Sequence, residues 1–114
     1  MDPLKQMPAR ARLKVDGAGS VTAFAAVTGA RWVLQAGVIG WSNAASCTIS
    51  LYETDSTNTA PFFVFQTSAT NGLYAFNLGD IGIPASSSYT SRMVFNTGAA
   101  GTFSAMFTGY YVGQ

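Results

Sequence analysis

Three observations predict an all-β fold, an antiparallel β-sandwich of jelly-roll type with seven or eight strands and an N-terminal arm. Short apolar or alternating runs recur at intervals of roughly 8–14 residues. Turn signals such as Asp16-Gly17, Gly29, Asn71-Gly72 and Gly98–Gly101 fall between them. No window of about 12 residues keeps a helical period without an interrupting Gly, Pro or Ser/Thr cluster.

Residues 1–9 hold Pro3 and Pro8 with little pattern, which predicts an arm whose removal leaves the fold intact. From Arg10 the chain alternates. Ala11, Leu13 and Val15 take one side, while Arg10, Arg12, Lys14 and Asp16 take the other. Cations on the outward side are the mark of a protected edge strand, so residues 1–16 divide off as basic arm and edge strand, and 17–114 as the sandwich. The basic start precedes an Ala-rich stretch, but Asp16, Gly17 and Gly19 interrupt it, which argues against a signal peptide. Val21 to Thr28 is the next strand. Trp32 to Trp41 follows, with Trp32, Leu34, Ala36 and Val38 expected on one face and Val33, Gln35 and Ile39 on the other. Cys47, Ile49 and Leu51 alternate with Thr48, Ser50 and Tyr52 in the clearest half-buried strand. Residues 61–66 and 73–78 come next, then a loop over 79–88 with one short apolar piece at Ile81–Ile83. Strands over 89–96 and 102–112 close the chain.

The chain has 114 residues, the size of one domain, with 48% hydrophobic and 13% aromatic residues to fill a core. Only 10% are charged, where a soluble domain has about 25%. Ala, Gly, Ser and Thr supply 52 residues, so small uncharged groups cover much of the exterior and repel neighbours weakly. The first 14 residues carry +3 and the remainder −2, for a net charge of +1. A whole-molecule affinity for nucleic acid is not expected from that balance.

Many chemistries are excluded. Without His there is no Ser–His or Cys–His nucleophile pair and no imidazole metal ligand. The single Cys47 cannot form an internal disulfide or a thiolate zinc site, and it reads as a buried, inert thiol. No phosphate-cradling Gly motif is present, and no apolar run reaches the 18 residues of a spanning helix. No cofactor, metal or membrane partner is therefore expected.

The remaining candidates are few. Glu53, Asp55 and Asp80 could serve a glycosidase-like hydrolase, which needs two carboxylates. All three sit where solvated turns place acidic residues anyway. Trp41, Tyr52, Tyr74, Tyr110 and Tyr111 could present rings to a glycan, or form a core rim or subunit interface. Phe62, Phe63, Phe65, Phe103 and Phe107 read as core. Lys5, Arg10, Arg12 and Lys14 could grip an acidic partner, or form only a solvated tail and a cation-lined edge.

The order of elements resembles a group of small β-sandwich virion proteins of tailed bacteriophages. The shared pieces are Thr48-Ile-Ser-Leu-Tyr52 before a variable loop, Gly79-Asp-Ile-Gly-Ile-Pro84, and a closing strand Thr108-Gly-Tyr-Tyr-Val112, spanning roughly residues 30–112. Members are head-decoration (cement) proteins, head fibres or fibre tips, commonly trimeric, with no catalytic residues to carry over. The resemblance implies a non-enzymatic structural protein made in the host cytoplasm and placed on the outer surface of the virion. There it would bind the major capsid protein or another virion protein as a homo-oligomer. A receptor- or glycan-binding module of a fibre is the alternative. The basic arm lies outside the resemblance.

Overall fold

The computed structural model describes residues 6–55, 57–67, 69–86 and 91–113. Its strands are β1 (Gln6–Asp16), β2 (Gly19–Phe24), β3 (Ala30–Ser42), β4 (Thr48–Thr54), β5 (Thr59–Gln66), β6 (Gly72–Asn77), β7 (Ile83–Pro84), β8 (Arg92–Thr97) and β9 (Thr102–Gly113). They form two antiparallel sheets. The first runs β1-β9-β3-β6, with β7 continuing the β6 column along β3, and the second runs β2-β8-β4-β5. Apart from the two-residue β7, this is the strand order of a jelly roll. Every connection crosses between the sheets except the β4–β5 hairpin and the β6–β7 link, which stay within one sheet. The expected class is the observed one.

Local sequence explains the framework. β1 pairs with β9 without a break from Gln6↔Val112 to Asp16↔Thr102. Residues 6–9, expected as part of an unpatterned arm, are thus the first four residues of the edge strand. Ala9 is buried, and Pro8 is tolerated because β1 lies at the sheet edge. A deletion of residues 1–9 would therefore cut into the fold. The chain leaves β1 through Gly17, whose positive φ (84°) suits glycine, and crosses to β2.

The core between the sheets holds Phe24, Trp32, Leu34, Ile39, Ile49, Leu51, Met93, Phe95, Phe103 and Phe107, each at most 2% exposed. Fully burying one such side chain stabilises by about 1.5–3 kcal/mol. Cys47, Ile49 and Leu51 point inward as expected, and the Cys47 thiol is buried beside Thr67. Phe103 and Phe107 are fully buried. Phe62, Phe63 and Phe65 are half-buried and pack on the core from β5.

Strand β3 does not keep the uniform alternation expected of residues 32–41. The pairing of β3 with β9 shifts register between Leu34 and Ala36, so Gln35 forms a β-bulge. Before it Trp32 and Leu34 face the core. After it Gly37, Ile39 and Trp41 do, and Ala36 and Val38 turn outward. Gly109 lies opposite Leu34 at this bulge, where a Cβ would stand 1.9 Å from the Val33 carbonyl oxygen. Only glycine lets the two backbones approach so closely. Gly37 is likewise enclosed, by the rings of Phe76 and Phe107.

Candidate interaction surface

The bulge gives the first sheet two very different faces. Its inner face carries the large rings. Its outer face is built in cross-strand rows, Arg12–Met106–Val38–Ala75 and Lys14–Ser104–Gly40–Leu73, with Arg10–Thr108–Ala36–Asn77 beside them. Leu73 is 71% exposed, Val38 40% and Met106 38%. Small residues separate these side chains, leaving two shallow depressions of about 320 and 600 Å³ that share Val38 and Met106. No secondary-structure element among the described residues covers this face. The floor carries no charge. A sheet face of this kind offers contact area and hydrogen-bonding hydroxyls but no group able to transfer a proton at neutral pH.

Charge is confined to the rims. Arg10, Arg12 and Lys14 project from the outward side of β1, and Lys14 Nζ lies 3.9 Å from an Asp16 carboxylate oxygen. Both partners of that pair are exposed, so it contributes little. Lys5 lies outside the described residues. On the opposite rim, the turn after β6 carries exposed Asp80, held where Leu78 N–H donates to the Gln35 carbonyl (2.7 Å). Arg31 is committed elsewhere: its guanidinium donates from Nε (3.2 Å) and Nη2 to the Ala85 carbonyl, which fixes the exit of β7.

The five candidate aromatics do not converge. Trp41 faces inward at the core rim, packs on Phe65 at 5.9 Å, and donates its indole N–H to the Ala69 carbonyl (3.1 Å). Tyr74 stacks on Phe65 at 4.9 Å, within a cluster with Phe63 and Phe76 that closes the open edge between β5 and β6. Tyr111 also faces inward. It packs on Phe24, donates its hydroxyl to the Ala25 carbonyl (2.8 Å), and burial raises its pKa. Tyr110 lies on the outer face of the first sheet, in register with Pro8 and Val33. Tyr52 lies on the outer face of the second, beside Val94. Three of the five thus serve the core rim, and the other two stand on opposite sides of the molecule.

The carboxylates are engaged in loop geometry. Glu53 accepts from the backbone N–H and the hydroxyl of Ser86 (2.9 and 2.8 Å), tying the β4 end to the segment after β7. Asp55 Oδ1 accepts from the N–H groups of Asn58 (2.6 Å) and Thr57 (2.7 Å), which caps the β4–β5 turn. Those donors hold its pKa below the ordinary carboxylate value, the Asn58 bond contributing most. Asp80 does not join the hollow that Glu53 and Asp55 line.

The outer apolar face escaped the sequence reading, although a signal for it exists. The large residues of β3 change parity, from Trp32 and Leu34 to Ile39 and Trp41, and such a switch requires one extra residue between them. No family model matches the chain, and no curated protein is significantly similar to it. Fold and surface are therefore the ground for any functional conclusion.

Proposed function

We propose that this chain is a structural virion protein, of the capsid-decoration type, that binds the assembled particle as an oligomer. The observation that carries this reading is the flat, uncharged outer face of the β1-β9-β3-β6 sheet, with Val38, Leu73 and Met106 exposed on a floor of Ala, Gly and Ser. Folding does not require those residues on an outward face, whereas association with other protein surfaces uses them. A jelly roll is also an architecture of viral capsid proteins, which supports the class by analogy of fold alone.

Attachment to an acidic surface on the particle is assigned to the basic segment Lys5, Arg10, Arg12 and Lys14. A protein that binds only the assembled shell stabilises it by mass action, with no chemistry of its own. The scattered aromatics give no support to the glycan-binding alternative.

The test uses particles assembled without this protein. Added back, the full chain is expected to co-sediment with them and raise their disruption temperature, and a chain lacking residues 1–5 to bind more weakly. Free protein remaining in the supernatant at every ratio would refute the role.

A further inference from the structure

We infer that the outer face of the five-stranded sheet docks a second copy of this chain, face to face across a twofold axis parallel to the strands. Such a pair rests on the oligomeric half of the function proposed above and is independent of attachment to a particle.

The area is sufficient. Four strands about 4.8 Å apart, over the length of β6 and the longer β9 and β3, give a projected area of roughly 600 Å² per copy. Two copies would bury about 1,200 Å², above the roughly 1,000 Å² that a specific interface needs. The face is also self-complementary in shape. Its small residues let two sheets approach, and sheets packed face to face lie about 10 Å apart, a gap that side chains the size of Val38, Met106 and Leu73 fill.

Charge selects both the occupant and the axis. A twofold perpendicular to the strands would lay β1 on β1 and oppose the cations of the two copies, which is unfavourable. The axis parallel to the strands lays β1 over the partner's β6. Lys14 then meets the partner's Leu73, and Arg12 the partner's Ala75, by the row registers given above. Arg10 comes opposite the end of β6, where the turn carrying Asp80 begins. Apolar floor meets apolar floor, and Arg10 of each copy meets the turn that carries the partner's Asp80. The stems of Arg12 and Lys14 cover apolar surface while their charged heads stay at the rim, free to hold a particle. An isologous face closes at two copies, so a pair is the expected unit where the resemblance implies three.

Sedimentation velocity of the full chain, from low to high micromolar concentration, tests this. The wild type is expected to show a reversible monomer–dimer equilibrium. Met106→Glu places an unpaired charge in the contact and is expected to weaken it about a hundredfold or more, with unchanged circular dichroism and melting. If that variant fails to fold, Leu73→Asp, at the most exposed position of the floor, carries the same test. Arg10→Glu is expected to weaken pairing by several-fold up to about tenfold, and Asp80→Arg added to it to restore affinity. A wild type monomeric at every concentration overturns the inference, as does an oligomer indifferent to the face variants. A charge swap that restores nothing overturns the axis. Dimers that ignore particles would count against the virion role and leave the pairing intact, whereas monomers that still bind particles would do the reverse.

Discussion

The two sheets bury similar inner faces and show opposite outer ones. Outside the β2-β8-β4-β5 sheet, the rows are Ser20–Asn96–Ser50–Val64 and Thr22–Val94–Tyr52–Pro61, in which hydroxyls and an amide predominate. Outside the β1-β9-β3-β6 sheet, Val38, Leu73, Ala75 and Met106 form the floor. Both sheets meet the same demand for strand propensity and a packed interior, so folding alone accounts for neither outer composition. Ser and Thr satisfy a solvated strand at no risk of association. A floor of Met, Val and Leu between Ala and Gly makes sense where another protein covers it.

The largest effect separates inside from outside on a single strand. Phe107 is fully buried and its neighbour Met106 is 38% exposed. Phe107→Ala should cost about 3–5 kcal/mol in chemical denaturation and Met106→Ala under about 1 kcal/mol. Equal costs would mean that the outer face is a second core. Next comes the bulge that turns Val38 outward. Gly109→Ala forces a methyl against the Val33 carbonyl and should destabilise by more than about 2 kcal/mol; a neutral result would remove the close approach on which the bulge depends. A smaller change contrasts the two exteriors directly. Val38→Ser should leave melting almost unchanged and weaken self-association several-fold, while Ser50→Ala should alter neither, both followed by light scattering.

The smallest effect lies away from both faces. Asp55 has its pKa lowered by the N–H groups of Asn58 and Thr57, so its contribution is present above its ordinary pKa and is lost as pH falls through the lowered folded value. Acidification should therefore loosen the β4–β5 turn, seen as a loss of amide protection at Thr57 and Asn58 relative to the intrinsic exchange rate. Asp55→Asn should remove most of that pH dependence. Exchange rates at the two amides that follow only the intrinsic acid dependence would contradict the assigned cap.

Period-two alternation made much of this legible. Residues 10–16 and 47–52 alternate without interruption, and their strands, facing and edge or core placement follow from side-chain size alone. The turn glycines marked the boundaries, because a positive φ at Gly17 or Gly29 leaves few other residues able to stand there. Strand β3 was harder. Gly37 and Gly40 have no side chain to reveal which face they occupy, so uniform alternation carries across Gln35 and puts Val38 on the face of Trp32 and Leu34. The core-rim reading holds for Trp41, Tyr74 and Tyr111, and alternation alone does not select it. Outward phase in a sequence cannot show that Trp41 and Tyr74 close the open edge of the sandwich, since the β5–β6 proximity that gathers them is set by the jelly-roll crossover.

The contrast between the two exteriors is tested most directly by methyl NMR spectra recorded while the protein is diluted. The methyl signals of Val38, Leu73 and Met106 are expected to shift together with dilution, while Val64, exposed on the other sheet, stays fixed. Shifts at Val64, or none at the other three, would contradict the assignment of this face as the association surface.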